Sequence, residues 1–282
     1  MRLIQPIFAS YSTRETGLGK ENKIYNAWKE AGERVKKDMD LGVKEFLLFY
    51  IPEFKFGEES DTRRGNEGID EHKMDQVCVT AASLSQIIQP QCRLIVDVCL
   101  CSYTQDGHCC ITGDQEKTDK LLLEQAKSIY TASGATIAPS DCQDNTVKNI
   151  KSLKGGGIEV MSYSTKFRST FYRGWRNAMK IEKGIHRPYQ LDVSDRFGAI
   201  ERSVKYAKDG ADELMVKPGI TSLDLIGPIK YFTRKKVGAY QTSGEYLGIG
   251  APGSLLETYK VFERAGADFM ITYGARDLVG QV

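Results

Sequence analysis

The sequence lacks the features that membrane-spanning and secreted proteins need. It contains no run of about 18 apolar residues. The opening MRLIQPIFAS carries one arginine but not the long apolar segment of a signal peptide. An excess of charge is also missing, because the net charge is only +2 over 282 residues. So small a charge argues against nucleic acid and membrane surfaces as partners. These absences predict a cytoplasmic protein that binds neither.

Histidine is scarce, and cysteine is unevenly placed. The chain has three histidines and seven cysteines, of which one histidine and four cysteines lie in DVCLCSYTQDGHCC, residues 97–110. An odd number of cysteines in a long chain without a secretion signal argues against a disulfide framework. The cluster therefore indicates a metal site or catalysis.

A short pattern recurs before several apolar runs. A polar stretch with helical periodicity ends at a glycine, and a short buried strand follows. Glycine suits this position because the backbone after a helix often needs a positive φ. The pattern occurs at Gly42, Gly134, Gly210 and Gly266.

Strand and helix patterns alternate through about eight units, and no composition typical of a linker interrupts them. Residues 5–8, QPIF, form the apparent first barrel strand, and further strands are predicted at 44–50, 93–100, 136–140, 157–164, 188–192, 213–219, 237–244 and 269–274. This alternation predicts an α/β fold, a (β/α)8 TIM barrel that forms a single domain over residues 1–282. An open doubly wound sheet is the alternative, but no glycine-rich dinucleotide fingerprint follows the first strand.

Three cysteines are spaced to meet at one centre. Residues i and i+2 of a strand share a face, so Cys99 and Cys101 are predicted to point the same way. Cys109 returns after seven intervening residues. Paired CxxC knuckles, which are typical of structural zinc, are absent. Three thiolates with an open fourth position indicate catalytic zinc, with His108 or Cys110 as a further candidate ligand. The alternatives are reduced cysteines packed as small apolar residues, or an opportunistic disulfide.

Two lysines follow apolar runs that end at the same rim of the predicted barrel. Lys217 ends ELMVK, where burial and a nearby cation would favour the neutral amine that attacks a carbonyl. Lys166, in MSYSTKF, could supply that cation or form a second Schiff base. A lysine at such a position can also simply extend to solvent. Two at one rim favour imine chemistry.

Other polar residues near this rim are candidates for binding a carboxylate. Arg168, Arg173 and Arg176 follow Lys166, and one or more of them could clamp a substrate carboxylate. Ser243 and Tyr273 could donate hydroxyl hydrogen bonds. Core packing is the alternative for the tyrosine.

Together, DVCLCSYTQDGHC, IAPSD, VMSYSTKF, LMVKPG and YQTSGEY resemble porphobilinogen synthase, also called 5-aminolevulinate dehydratase. The resemblance runs from about Arg93 to the C-terminus. It implies condensation of two 5-aminolevulinate molecules to porphobilinogen with loss of two waters, in tetrapyrrole and haem synthesis. It also implies a homo-oligomer and a zinc cofactor.

The resemblance assigns roles to individual residues. Lys217 matches the lysine that forms a Schiff base with the substrate of the propionate half, and Lys166 matches the lysine of the acetate half. The residues that match zinc ligands are Cys99, Cys101 and Cys109. Those that match carboxylate contacts are Arg176, Ser243 and Tyr273.

The sequence departs from the family at several positions. His186 stands where a second arginine is usual, so either Arg187 beside it makes that carboxylate contact or the contact is missing. The N-terminal arm that wraps a neighbouring subunit in the family is almost absent, because about four residues precede QPIF. Arg202 stands where many relatives carry a magnesium glutamate, so no such site is predicted. Another Schiff-base lyase or aldolase, or an inactive zinc-binding barrel, are the alternative functions.

Overall fold

The computed structural model describes residues 1–13, 22–53, 55–56, 72–88, 90–153, 157–172, 174, 176, 187–251 and 253–282. Across these ranges, no helix has both the length and the apolar character that crossing a bilayer demands.

A ring of parallel strands forms the centre of the fold. The strands are β1 (Arg2–Ser10), β2 (Ile24–Asn26), β3 (Glu45–Ile51), β4 (Arg93–Val98), β5 (Thr136–Pro139), β6 (Met161–Lys166), β7 (Glu213–Lys217), β8 (Lys236–Tyr240) and β9 (Phe269–Ile271). The ladder runs β5-β4-β3-β1-β9-β8-β7-β6, and β2 pairs with β1 off this path. The ring closes where the Ile137 amide of β5 donates to the Glu159 carbonyl at 2.8 Å, beside a parallel bridge to Val160. The predicted (β/α)8 barrel is confirmed.

Helices cover the outside of the ring. They are α1 (Ala31–Asp40), α2 (His72–Ile87), α3 (Gln115–Ser133), α4 (Thr146–Lys151), α5 (Arg196–Lys208), α6 (Leu223–Thr233), α7 (Ser243–Gly248), α8 (Ser254–Arg264) and α9 (Ala275–Leu278). The strands are buried on both faces. Alternate residues point into the barrel interior, and the others point outward and are covered by the helices. In β1, for example, Ile4 and Phe8 join the interior cluster while Leu3 and Ile7 join the layer beneath the helices.

The glycines of the recurring sequence pattern behave as predicted. Each has a positive φ between 66° and 106° at the junction that leads into the next strand. The four junctions lead into β3, β5, β7 and β9, so this local signal marks where these barrel strands begin.

One predicted strand was wrong. Residues 188–192 make a single parallel bridge, Leu191 to Phe167, and do not join the ring. Pro188 has no amide proton to donate to a ladder. Tyr189 packs against a group of cysteines and Gln190 lines a central cavity, so tertiary contacts outweigh the strand pattern.

Paired charges fill the amino end of the barrel. Arg2 binds Glu45 at 3.1 Å and Glu213 at 2.5 Å, and Arg93 binds Glu213 at 2.8 Å. These four residues begin β1, β3, β4 and β7. Because both carboxylates are largely buried and each has a guanidinium partner, the network ties four strands together at one end.

Candidate active site at the carboxyl ends of the strands

The three predicted metal ligands converge at the carboxyl end of β4. The thiol sulfurs of Cys99, Cys101 and Cys109 all lie within 4.8 Å of one another. The reason differs from the one predicted, because β4 ends at Val98 and strand alternation cannot orient the two cysteines that follow. A turn does so instead: the Tyr103 amide donates to the Leu100 carbonyl at 2.8 Å, and the Cys101 amide donates to the Cys99 sulfur at 3.4 Å.

The donor set fits a thiophilic divalent cation. All seven cysteines are free thiols, so the disulfide alternative is not realised. Hydrogen bonds from Cys101 and Cys99 lower the pKa of Cys109 well below its usual value. The hydrogen bond to Cys109 raises the pKa of Cys101, and burial raises that of Cys99. A buried group of three thiols that concentrates negative charge on one sulfur can hold a metal ion.

Neither candidate for a fourth ligand belongs to this group. Among the described residues, the group of possible metal ligands contains only the three cysteines. The His108 ring nitrogen Nδ1 lies 3.3 Å from the Tyr189 hydroxyl. Cys110 is partly exposed, and burial raises the pKa of its thiol to about 11. The part of the chain that the structure describes thus supplies three ligands, the number that proteins contribute to catalytic zinc sites.

Lys217 is the last residue of β7 and lies among aromatic rings. Its Nζ is 3.9 Å from the ring centroid of Tyr240 and 5.0 Å from that of Tyr163. Burial and the positive charge of Lys166 lower the pKa of Lys217 to about 7, although Asp97 opposes the shift. A substantial fraction of this amine is therefore neutral, and nucleophilic, near neutral pH.

Lys166 is the last residue of β6, not a residue beyond the strand as the sequence suggested. It is buried, and its Nζ donates to the Ser140 carbonyl. Burial alone would lower the pKa of Lys166, but the negative charge of the nearby cysteines, Cys109 above all, raises it well above the usual value. Lys166 is therefore the cation that depresses the pKa of Lys217.

Asp97 is a cavity residue that was missed as a candidate from the sequence. It lines the same cavity as both lysines. Burial raises the pKa of its carboxyl group to about 6, against the attraction of Lys166 and Lys217. Strand alternation places Asp97 on the same face as Ile95, but only the closed ring shows that this face points into the barrel interior.

Two adjoining cavities share Lys217, Phe49 and Tyr172. The larger is also lined by Asp97, Cys101, Cys109, Lys166, Arg176 and Arg187. The smaller is also lined by Tyr240, Thr242, Ser243 and Tyr273. The barrel mouth thus offers space on two sides of one reactive amine.

The larger cavity contains two of the candidate arginines. Arg187 is buried, and its Nη2 donates to the Gly107 carbonyl at 3.0 Å. Burial and the charge of Arg187 lower the pKa of Arg176. Arg168 lies elsewhere, in an exposed ion pair with Asp192 at 2.8 Å. Arg173 and His186 fall outside the described residues.

The smaller cavity contains the two candidate hydroxyl groups. Ser243 begins α7, whose N-terminus is fixed by a capping box between Thr242 and Glu245. Burial raises the pKa of Tyr273, so its hydroxyl keeps its proton, and Ser243 makes a side-chain hydrogen bond to it. Tyr273 also stacks on Phe8 with centroids 5.8 Å apart, so it combines core packing with a polar group facing the cavity.

Comparison with known proteins gives a consistent result. The family model described as Delta-aminolevulinic acid dehydratase matches residues 1–281. The delta-aminolevulinic acid dehydratase of Helicobacter pylori is 33% identical over 259 residues, which are 84% of this chain and 77% of that protein. The enzyme of the same name from Staphylococcus epidermidis is 31% identical over 267 residues, 87% of this chain and 80% of that protein.

A solved structure extends the likeness to the fold. The delta-aminolevulinic acid dehydratase (porphobilinogen synthase) of Toxoplasma gondii, in complex with the reaction product porphobilinogen, superposes with a TM-score of 0.85. The two chains are 28% identical, and the match covers 99% of this chain and 84% of that one.

Proposed function

This chain belongs to the delta-aminolevulinic acid dehydratase family, and on that premise we propose how its own residues carry the family's reaction. The chain is a lyase that condenses two 5-aminolevulinate molecules to porphobilinogen in tetrapyrrole biosynthesis. One observation supports the assignment of roles above all others: two lysines pair at the barrel mouth, and the pKa of one of them is lowered to about 7.

Lys217 forms the Schiff base with the substrate of the propionate half. Its neutral amine attacks the ketone carbon of one 5-aminolevulinate, and the resulting carbinolamine loses water to give an imine. The ring-lined surroundings of Nζ exclude solvent and so favour this dehydration. Ser243 and Tyr273, in the smaller cavity, donate hydroxyl hydrogen bonds to the carboxylate of the same molecule.

Lys166 engages the second substrate, of the acetate half, in the larger cavity. Arg176 and Arg187 line that cavity and bind the carboxylate of this molecule. Asp97 interacts electrostatically with both amines, and its pKa of about 6 suits a group that takes up and releases protons near neutral pH. We assign Asp97 the protons that are lost from carbon and nitrogen as the pyrrole ring closes.

Cys99, Cys101 and Cys109 are the residues that would hold zinc. Their buried thiols, with no further ligand among the described residues, fit an ion that keeps one position for substrate. Bound there, zinc would supply Lewis-acid chemistry to the second substrate. The chain's own contribution is to orient these sulfurs beside Lys166 and the two arginines.

We also propose that the chain acts as a single domain, in the cytoplasm and as a homo-oligomer. Its seven free thiols suit a reducing compartment. One hydrophobic layer runs beneath the helices around the barrel, as in a single folding unit.

Phe197, Tyr231 and Phe232 are 74%, 64% and 59% exposed, which suits an interface between copies. Light scattering after gel filtration measures the oligomeric state, and a monomer at micromolar concentration would contradict the proposed homo-oligomer.

The assay that tests the proposal supplies 5-aminolevulinate, follows porphobilinogen, and traps imines with borohydride before peptide mapping. Adducts at Lys217 and Lys166 together with turnover are expected. Turnover of a different keto acid only would indicate another Schiff-base lyase. Bound zinc with neither adduct nor turnover would indicate an inactive zinc-binding barrel.

A further inference from the structure

Tyr189 lies directly against the cysteine group. Its side chain is half-buried and packs against Cys99, Cys101 and Cys109. Its hydroxyl accepts a hydrogen bond from the Cys109 amide at 2.9 Å. The same hydroxyl pairs with His108 Nδ1 at 3.3 Å, and the two rings meet edge to face with centroids 5.9 Å apart. One hydroxyl group therefore fixes two consecutive residues of the loop that ends at a metal ligand.

A second bond joins the same two segments two residues away. Arg187 Nη2 donates to the Gly107 carbonyl at 3.0 Å. The segment that contains Arg187 and Tyr189 is itself fixed from behind, because Arg202 of α5 donates from Nη1 to the Tyr189 carbonyl at 2.8 Å. The loop 107–109 and the segment 187–190 are thus held together at two points and anchored to the barrel at a third.

Each of these segments contributes a group of a different kind to the larger cavity. The loop contributes the Cys109 thiol, and the segment contributes the Arg187 guanidinium and the Gln190 amide. A displacement of either segment would therefore alter both the metal ligand and the group assigned to the substrate carboxylate.

We propose that Tyr189 is a positioning residue that couples metal binding at Cys99, Cys101 and Cys109 to carboxylate binding at Arg187. The proposal deepens the proposed function and rests on it for the identity of the carboxylate ligand. Metal binding fixes loop 107–109, the tyrosine fixes segment 187–190 to that loop, and the guanidinium is then held in its binding position. Linkage requires the reverse as well: a carboxylate on Arg187 must tighten metal binding by the same factor.

The first test uses the metal alone. Zinc affinity is measured by chelator competition on the purified chain and on Tyr189→Phe, which removes one oxygen and retains the ring. Loss of such a supporting hydrogen bond weakens metal binding by about 10-fold to 100-fold in comparable sites, and we expect a loss of that size. The matched control is Tyr259→Phe, which deletes a hydroxyl bonded to the Met1 carbonyl at 3.1 Å, far from the cavity. Zinc affinities of Tyr189→Phe and the control within twofold of each other would overturn the proposal.

The second test measures the coupling itself, which a purely structural role would not change. Levulinate, a keto acid with the substrate's carboxylate but no amine, is added at a concentration that fills the larger cavity as well as the smaller one, and zinc affinity is measured again. A borohydride adduct at Lys166 shows that levulinate occupies the cavity lined by Arg187. We expect it to tighten zinc binding by about 5-fold or more in the natural chain and by less than 2-fold in Tyr189→Phe. Equal coupling in the two proteins would overturn the proposal.

A third variant keeps the proposal testable if Tyr189→Phe folds poorly. His108→Ala leaves the bond from the Cys109 amide in place but removes the other partner of the hydroxyl, so a smaller loss of coupling is expected. An increase of coupling would contradict the arrangement. Borohydride trapping of levulinate on the natural chain is the independent check: no adduct would refute the proposed function, whereas an adduct with unchanged zinc affinities would refute only the role of Tyr189.

Discussion

Lys166 and Lys217 are register partners at the ends of two neighbouring parallel strands, and their surroundings shift the pKa values of their amines in opposite directions. Burial and the charge of Lys166 lower the pKa of Lys217. Negatively charged cysteines outweigh burial at Lys166 and raise its pKa. Two residues of the same type, side by side, thus become one nucleophile and one cation. This difference predicts that Lys217 is the first of the two to form an imine.

Replacing Lys217 with alanine should abolish turnover, with a loss on the order of 10³-fold or more, because the amine that forms the imine is gone. The fold and the zinc content should be nearly unchanged. Porphobilinogen formation, circular dichroism and zinc per chain measure these three properties. Lys120→Ala is the matched control, since Lys120 is exposed and forms an ion pair with Glu124 on the outer helix α3. Condensation that persists in Lys217→Ala would show that the nucleophile is wrongly assigned.

Imine formation at Lys217 should increase with pH and level off above about 7. Below that value the amine is protonated and cannot attack, so the rate should fall about tenfold per pH unit. The same shift affects stability: between about pH 7 and the usual lysine value, the unfolded chain binds a proton that the folded chain does not. The contribution of this group to the free energy of unfolding therefore increases with pH over that range. Trapping of levulinate by borohydride across the pH range measures the rate of imine formation. A rate that rises with pH up to about 10, the usual lysine value, would refute the lowered pKa of Lys217.

Removing the charge of Lys166 should raise the pKa of Lys217. Lys166→Met keeps the length of the side chain but not its cation, so the rising limb of levulinate trapping should move to higher pH. Turnover should be lost, since the second lysine is gone. Lys205→Met, on the outer helix α5, serves as the control. If trapping rises over the same pH range in Lys166→Met as in the natural chain, burial alone lowers the pKa of Lys217.

Replacing Cys101 with alanine should remove both the metal and the activity, because a site with two thiols binds zinc far more weakly than one with three. Cys92→Ala, which removes a partly exposed thiol outside the group, should keep both. Metal analysis after gel filtration, with activity measured on the same samples, provides the comparison. Full zinc stoichiometry in Cys101→Ala would rule out the three-cysteine site.

Replacing Asp97 with asparagine should lower kcat by about 10²-fold to 10⁴-fold, the usual contribution of a general acid or base. Imine trapping at Lys217 should persist, and its rising limb should move to lower pH because the carboxylate that favours the charged amine has been removed. A shift to higher pH, or an unchanged kcat, would contradict the assigned role.

Local sequence signals predicted the barrel and the two lysines, since a glycine after a helix and an apolar run before a polar residue are properties of neighbouring residues. Asp97 and Tyr189 could not be found in this way. An aspartate in a strand looks like a solvent-facing residue until ring closure turns its side chain inward. Tyr189 lay in a segment interpreted as a strand, and only the contact with Cys109, 80 positions away, reveals its placement. Residues whose position depends on distant segments leave no trace in a local pattern.

The ion pairs among Arg2, Glu45, Arg93 and Glu213 determine from which end of the barrel small molecules can reach the cavities. They close the amino end of the barrel. The side chains of Ile4, Leu47 and Phe269 fill the barrel interior next to them. The two cavities at the carboxyl end therefore have no connection through the barrel to the amino end among the described residues. Around the described part of the barrel, substrates, water and product therefore reach the two cavities from the carboxyl ends of the strands.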